Sequence, residues 1–338
     1  MNRREALSAL IVVGASTGVP AIQAQSPKPI RTPILGVLSA FPIVSPEKWA
    51  TSPFWTPLRS FGWIEGENLR VERASSYPRD DQLPALAEEL VRKKVDVIFA
   101  ASNESAVAAA HATKTIPIVF WGVNYPVELG LVESLARPGG NVTGIALHIG
   151  PIEFTKTLEF LKEIAPSAAR LSYIYETAHM RKVDGTQWQF ANDYIETAAK
   201  KVGFDSREHA LSRPDDLDAV LADVLLAKSQ ALYVSYSKLT IELRERIIEF
   251  ANRNRLPSAF NSQDDVEMGG LLSYGPDLGL LFRRAASHVD KVLRGAKPQD
   301  VPVELPTTLE LVVNRRTAKM LSLAVSPSLQ ARTDLFID

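Results

Sequence analysis

Hydrophobic and polar positions follow a pattern along this chain that is typical of an α/β fold. From residue 33 onward, short apolar runs rich in β-branched residues alternate with longer stretches whose apolar residues recur at spacings of three and four. This pattern predicts strands separated by amphipathic helices around a parallel sheet. In the first half of the chain it predicts strands at 34–38, 68–72, 95–100, 116–121 and 141–147, a helix at 80–94 and an alanine-rich helix ending near Lys114.

The same rhythm repeats in the second half. It predicts helices at 152–164, 185–202, 215–227 and 240–254, and strands at 170–175, 206–210, 231–236 and 257–260. Helix caps are expected at Asp80 and Thr240. Two sheets of similar size follow from this count. The sequence therefore predicts an α/β protein with two Rossmann-like lobes, each built on a parallel sheet.

The pattern changes after Gly270. A strand at 271–275 and a helix at 277–293 lead into a connector with prolines at 298, 302 and 306, followed by an extended segment at 309–314 and a final helix from Arg315. Extended, proline-containing segments suit hinge strands that pass between two lobes. We expect lobe 1 at 33–146, completed by about 266–300, and lobe 2 at 147–265, completed by about 301–338.

The N-terminus has the layout of a secretory signal peptide. Arg3 and Arg4 precede an uncharged stretch at 6–24, with Pro20 near its end, so we expect residues 1–24 to be removed on export. The segment 2–7 also partly matches a twin-arginine signal, which leaves both that route and the general secretory route open.

The amino-acid composition limits the expected cellular compartment and the kinds of binding partner. There is no cysteine, so lipid attachment at a cleavage site, disulfides and Cys-based zinc sites are not expected. We expect a chain free in the periplasm, with a net charge that moves from -1 to -2 when two arginines and one glutamate leave with residues 1–24. That charge does not suggest a nucleic-acid partner, and the remaining length fits two domains.

Candidate binding residues lie where the predicted strands end, because ligands of open α/β sheets gather outside the carboxyl ends of the strands. Hydroxyl, amide and aromatic groups dominate there. The polar groups before the alanine-rich helix could bind a carboxylate of a ligand, or they could only cap the helix. The tyrosines could form apolar walls of a binding site with a polar hydroxyl at the tip, or they could only pack in the core. The candidates are Ser39, Phe41, Ser102, Asn103, Ser105, Asn124, Tyr125, Glu176, Tyr236, Asn261 and Tyr274.

Four segments carry a family resemblance: FGWIEGEN at 61–68, LARPGGNVTG at 135–144, GGLLSYGPD at 269–277 and RGAKP at 294–298. Together they resemble the ABC transporter substrate-binding protein family of tryptophan and tyrosine type, and the resemblance runs from about residue 34 to the C-terminus. It implies a type I periplasmic binding protein, with a small solute in the cleft between lobes and no catalysis. It also implies an ABC permease in the inner membrane as partner. We expect a monomer.

Two segments depart from that family. Where relatives commonly read Asp-Pro-Val, this chain reads Asn124-Tyr125-Pro126-Val127. Tyr125 cannot pair with an amino group as an aspartate can, which weakens the expectation of an ordinary amino acid as ligand. The segment 41–59 carries four prolines and two tryptophans where relatives have a cleaner helix, and we expect it to reshape one wall of the cleft.

Other chemistry has little support in the sequence. The five histidines show no metal-binding spacing, and there is no phosphate loop, dinucleotide fingerprint or Gly-x-Ser-x-Gly elbow. No cofactor is therefore expected. The leading hypothesis is the solute-binding component of an ABC importer. The alternative is a periplasmic sensor subunit that binds a solute and signals to a membrane partner, and a hydrolase is disfavoured because no nucleophile set is evident.

Overall fold

The computed structural model describes residues 31–42, 46–77, 79–147, 151–177, 186 and 190–338. The predicted signal peptide at 1–24 lies outside these residues. From Pro33 onward the described residues belong to one compact unit. None of the helices in the described ranges is long and apolar enough to span a membrane.

The first sheet has five strands, all parallel, in the spatial order β2-β1-β3-β4-β5. Side chains on a strand point alternately to the two faces, so Ile34 and Leu38 pack against α3 and α4, whereas Leu35 and Val37 pack against α2 and α11. The strands are β1 (Ile34–Ser39), β2 (Arg70–Ser75), β3 (Val97–Ala101), β4 (Ile118–Val123) and β5 (Val142–Ala146). The helices are α1 (Pro46–Ala50), α2 (Trp55–Ser60), α3 (Leu83–Arg92), α4 (Asn103–Ala112) and α11 (Leu278–Leu293).

The second sheet has seven strands in the order β12-β11-β10-β9-β8-β6-β7. Its pairs are parallel except for the one between β10 and β11, which is antiparallel. The strands are β6 (Arg170–Glu176), β7 (Asp205–Leu211), β8 (Ala231–Val234), β9 (Ser258–Phe260), β10 (Leu272–Gly275), β11 (Glu310–Asn314) and β12 (Leu335–Ile337). The helices are α5 (Pro151–Ile164), α6 (Phe190–Val202), α7 (Leu217–Leu226), α8 (Lys238–Glu242), α9 (Arg244–Arg253), α10 (Gln263–Glu267), α12 (Arg315–Met320) and α13 (Pro327–Arg332).

The chain passes between the two sheets three times. It leaves the first sheet after β5, returns between β10 and α11, and leaves again before β11. Of the residues expected to complete lobe 1, α11 packs on the first sheet whereas β10 pairs in the second. The proline-rich connector borders the first sheet, because Glu304 N donates to Gly144 O at 3.0 Å and Ala146 N donates to Glu304 O at 2.9 Å.

The two-lobed α/β class predicted from the sequence is confirmed, with local differences. The helix predicted at 240–254 is two helices, α8 and α9, divided at Leu243. Its predicted cap, Thr240, instead accepts a hydrogen bond from Ser237 N at 2.9 Å, while Ser237 is the N-cap. This reciprocal capping box starts α8 earlier than the apolar spacing indicates. The sheets also differ in size, because β12 adds an edge strand that the sequence pattern did not reveal.

Candidate functional site

The carboxyl ends of strands from both sheets line one small cavity, here called the interlobe cavity. Its volume is about 20 Å³, which is room for about one water molecule. Strand ends of two separate sheets meet here, as expected for ligand sites in open α/β folds. The first lobe contributes Phe41, Ser102, Asn103, Glu104, Trp121 and Gly122, and the second contributes Tyr236, Ser237, Lys238 and Ile241.

The N-terminus of α4 forms the buried wall on the first-lobe side. Ser102 is its N-cap and accepts from Ser105 N at 3.1 Å, and the two hydroxyl oxygens lie 3.0 Å apart. Asn103 Oδ1 accepts from Asn124 N at 2.8 Å, which ties the loop after β4 to the helix. Ser102 thus both caps the helix and lines the cavity. Ser105 and Asn124 do not line it; they fix the local backbone.

Two carboxyl groups, one from each lobe, lie within electrostatic reach of each other. Glu104 lines the interlobe cavity, whereas Glu176 does not. Glu176 ends β6, is 4% exposed and accepts from Leu239 N at 2.9 Å. Burial raises the pKa of Glu176 to about 7, the Glu104 carboxylate contributes in the same direction, and Lys238 opposes both. Glu176 is therefore only partly ionised at neutral pH, and Lys238 offsets part of the negative charge that it shares with Glu104.

Two of the predicted tyrosines bridge the lobes. Tyr236 lines the interlobe cavity from the second lobe and packs against the apolar core of the first. Tyr125, on the loop after β4, packs against the core of the second lobe, with its ring centroid 6.3 Å from that of Tyr194. Burial raises the pKa of both hydroxyls, so both are neutral at physiological pH.

Two other predicted residues lie inside the second lobe. Asn261 donates to Glu153 Oε1 at 2.9 Å and accepts from Tyr233 OH at 2.8 Å, and all three residues are buried. The ring of Tyr274 meets Phe160 edge to face, with centroids 5.1 Å apart. The structure does not bring Asn261 or Tyr274 to the interlobe cavity.

A second cavity adjoins the first, sharing Phe41 and Trp121 with it, and is here called the aromatic cavity. Its volume is about 130 Å³. The turn after β1 shapes it, because Ser39 Oγ accepts from Phe41 N at 3.0 Å and Ser75 Oγ donates to Phe41 O at 2.7 Å. Its lining is mostly apolar and consists of Val37, Ser39, Phe41, Pro42, Trp49, Arg73, Ala101, Trp121 and Phe282.

Reasoning from strand ends missed several lining residues. Glu104 and Ser237 lie in the predicted strand-end segments, next to the predicted candidates Ser105 and Tyr236. Trp49 lies in the segment 41–59, whose departure from the family pattern was the available signal. Nothing in the local sequence indicates that Phe282 lines the cavity, because it lies in α11, far along the sequence from the other lining residues.

Outside these cavities, a buried chain of hydrogen bonds has the composition of a catalytic triad. Ser172 Oγ lies 2.6 Å from His209 Nε2, and His209 Nδ1 lies 3.0 Å from Asp223 Oδ2. Ser172 is fully buried and is not among the residues that line the interlobe cavity or the aromatic cavity. A nucleophile must contact its substrate, whereas the Ser172 hydroxyl lies against His209 and Ser229, at 2.6 Å from each. In the described part of the chain, no cluster of three or more His, Asp or Glu residues is arranged to hold a metal.

The chain and its fold match known proteins over most of their length. A family model described as ABC transporter substrate binding protein matches residues 50–336. A tyrosine-binding protein of Clostridioides difficile is 30% identical over 274 residues, which are 81% of this chain and 76% of that protein. These matches confirm the resemblance identified in the sequence.

Solved structures with a similar fold support the same family assignment. A conserved domain protein from Vibrio cholerae has a TM-score of 0.80 at 25% identity, covering 91% of this chain and all of that one. A Streptococcus protein in complex with L-Trp also has a TM-score of 0.80, at 21% identity, covering 90% and 100%. The ligand-free, open structure of a substrate-binding protein with adhesive properties from Clostridium difficile has a TM-score of 0.64 at 27% identity, covering 90% and 99%.

Proposed function

Because the chain belongs to the ABC transporter substrate-binding protein family, we propose that it is the periplasmic solute-binding component of an ABC importer. It captures a small organic solute, an amino acid or an aromatic carboxylate, between its lobes and does not transform it. The expected partner is an ABC permease in the inner membrane, to which the chain delivers the solute as a monomer. The signal-peptide pattern at 1–24 supports the periplasmic location.

The observation that carries this proposal is the interlobe cavity, which side chains of both lobes line. A solute held there touches both lobes at once, so it favours the closed arrangement over any open one. A permease that recognises the closed arrangement then distinguishes loaded from empty protein. Delivery of the solute follows from the same differential binding.

The charges at the cavity support a zwitterionic solute. The α4 N-terminus, with its positive dipole end, suits a carboxylate. The carboxyl groups of Glu104 and Glu176 can take the role of the family's aspartate, which Tyr125 cannot, and Lys238 offsets part of their charge. An amino acid is therefore compatible with this site despite the Tyr125 substitution. The ligands named for the relatives, tyrosine and L-Trp, are of this class.

Solute binding by the purified protein tests the proposal. We expect one class among amino acids, aromatic acids, short peptides and sugars to raise the melting temperature, because a ligand that binds only the folded state stabilises it by mass action. Ser102→Ala should weaken that solute's affinity by about tenfold, the size of one lost hydrogen bond to a charged group. Scanning calorimetry measures the melting temperature, and titration calorimetry measures the affinity.

A matched control separates binding from helix capping. Ser326 caps α13 by accepting from Leu329 N at 3.0 Å and does not line either cavity. Ser102→Ala and Ser326→Ala should both cost about 1 kcal/mol of stability as lost caps, but only the former should weaken solute binding. The proposal fails if no solute in the set binds, or if the two variants bind it equally well.

A further inference from the structure

A third cavity lies where the chain crosses between the two sheets and is here called the hinge cavity. Its volume is about 210 Å³. The residues that follow β10 and begin α11 form one wall, and the start of β11 forms another. It shares no lining residue with the interlobe cavity, so it is separate from the proposed solute site. The polar side chains that line it belong to Ser262, Gln263, Asp264, Ser273, Asp277 and Glu310.

The hinge cavity carries a negative charge. Asp264, Asp277 and Glu310 line it, and none of the described residues that line it is basic. Arg244 lies 3.5 Å from Asp264, and Arg283 lies 3.4 Å from Asp277, but neither arginine is part of the lining. Ion pairs of this length at solvent-exposed carboxylates are weak. The three carboxylates therefore keep most of their charge available to a ligand.

Glu310 has the least compensation of the three. None of the described basic residues forms an ion pair with it. Burial raises the pKa of Glu310, and the carboxylates of Asp277 and Asp334 act in the same direction. Asp334 is held beside β11, because its Oδ2 accepts from Leu311 N at 2.8 Å. A cation bound next to Glu310 relieves the repulsion among these groups.

Ser273 adds a buried hydroxyl that faces the cavity. The residue is 1% exposed and lines the cavity, and its side chain has no hydrogen-bond partner among the described residues. Because side chains alternate along a strand, Ser273 points away from the core against which Leu272 and Tyr274 pack. A buried hydroxyl without a partner is costly. A ligand with an N–H donor removes that cost.

We propose that the hinge cavity binds a small organic amine through its ammonium groups. An ammonium group donates three hydrogen bonds and accepts none, which matches carboxylates and an unpaired serine oxygen. The described residues form no cluster arranged to hold a metal ion, so a larger cation that reaches several carboxylates fits better. This site goes beyond the proposed function, because neither capture nor delivery of a transported solute requires it.

The volume limits the size of the amine. An apolar cavity of about 150 Å³ in another protein holds benzene, which has six non-hydrogen atoms. A cavity of about 210 Å³ therefore accommodates a diamine of about six to eight non-hydrogen atoms. Such a molecule can place one ammonium group beside Glu310 and Ser273 and the other toward Asp264.

Titration calorimetry on the intact protein tests the proposal with three probes of equal chain length. They are 1,4-diaminobutane, 1,4-butanediol and succinate, compared at one fixed ionic strength because salt screens exposed charges. We expect the diamine to bind at one site, and the neutral diol and the dianion not to bind. Equal binding of the diol, or tighter binding of succinate, would overturn the assignment to an amine.

Two variants place the diamine in the hinge cavity. Glu310→Gln should weaken its affinity by about tenfold or more, the size of a hydrogen bond to a charged group. Ser273→Ala should weaken it by about threefold to tenfold, the size of a neutral hydrogen bond. Glu249→Gln is the matched control, because Glu249 is an exposed acid of α9 that pairs with Arg253 and lines none of the three cavities. Thermal unfolding verifies that all three variants fold.

Hydrogen exchange gives a second measurement of location that needs no variant. The diamine should slow amide exchange at residues 273–279 and 310–312, because a ligand that binds the folded state suppresses local opening around it. Slowed exchange only elsewhere in the chain would contradict the proposal.

The remaining outcomes also decide against the site. Loss of diamine binding in Glu104→Gln but not in Glu310→Gln would place the amine in the interlobe cavity. An equal loss in Glu249→Gln would show that the amine responds only to overall charge. If the diamine does not bind at all, the hinge site is overturned, while the solute-binding function stands or falls on its own set of solutes.

Discussion

Glu176 is the residue whose ionisation most directly links the site to stability. Its pKa of about 7 in the folded chain lies well above the 4.5 typical of an exposed glutamate. Between those two pH values the folded state holds a proton that the unfolded chain has released. The free energy of unfolding contributed by this group therefore falls as pH rises from about 4.5 to 7.

Glu176→Gln should remove that dependence. The side-chain oxygen can still accept from Leu239 N, while the buried charge facing Glu104 is gone. At pH 8 the variant should be more stable than the parent by on the order of 3 kcal/mol, the equivalent of a shift of about 2.5 pKa units, with little difference at pH 4. Thermal unfolding across pH 4–8 measures this, and parallel pH profiles for the two proteins would contradict it.

Some structural features of Tyr125 can be predicted from the sequence, and others cannot. The sequence alone shows that Tyr125 follows the strand β4 and precedes Pro126, and that it stands where relatives have an aspartate. Its left-handed backbone has a φ of 55°, and its ring packs against residues of the second lobe that are distant in sequence. Local sequence carries no information on such long-range contacts, so its neighbours were not predictable.

At the scale of elements, Gly275 controls how closely two strands approach. It is the last residue of β10, directly before the crossing to α11, and a Cβ there would lie 1.9 Å from Asn261 O. Gly275→Ala must push β10 from the end of β9 and should cost about 1–3 kcal/mol or more, as overpacking does.

Gly140→Ala is the corresponding neutral change, because nothing lies within 4 Å of the Cβ it would add. Urea denaturation should show a clear drop in the midpoint for Gly275→Ala and little change for Gly140→Ala. Similar midpoints for the two variants would mean that β9 and β10 are not held together as closely as described.

Strands and helices were predictable where periodicity is strong. The helix at 152–164 and the strand at 170–175 correspond closely to α5 and β6, because each buries one or both faces in a core. β12 was missed because it is a short edge strand with partly exposed residues. The antiparallel pairing of β11 also escaped prediction, since strand direction depends on the chain's path between lobes rather than on residue pattern.

The site was predictable to the extent that it follows from topology. The rule that ligands lie at strand carboxyl ends led to Phe41, Ser102, Asn103 and Tyr236, which line the interlobe cavity. The aromatic cavity needs α1 and α11 to meet β4, and the sequence does not specify that packing. The sequence pattern predicts Trp121 as the last residue of its strand, whereas β4 continues to Val123, and the pattern does not predict that Trp121 lines both cavities.

At the scale of the whole molecule, the volumes of the cavities require motion. A solute larger than water cannot enter an interlobe cavity of about 20 Å³ unless the lobes separate. The chain crosses between the sheets after β10 and again before β11, and we expect the bending to occur at these crossings. Without solute, the carboxylates of Glu104 and Glu176 oppose closure when both are ionised.

Small-angle scattering should therefore report closure. We expect a saturating solute to reduce the radius of gyration, and the reduction to be larger at pH 8 than at pH 5.5, because ionised Glu176 opens the empty protein at the higher pH. Glu176→Gln should lose most of the pH effect and keep the solute effect. Ser102→Ala, at a solute concentration that saturates only the parent, should remain expanded. A radius unchanged by a solute that calorimetry shows to bind would contradict closure, since a ligand shifts only an equilibrium between states that it binds unequally.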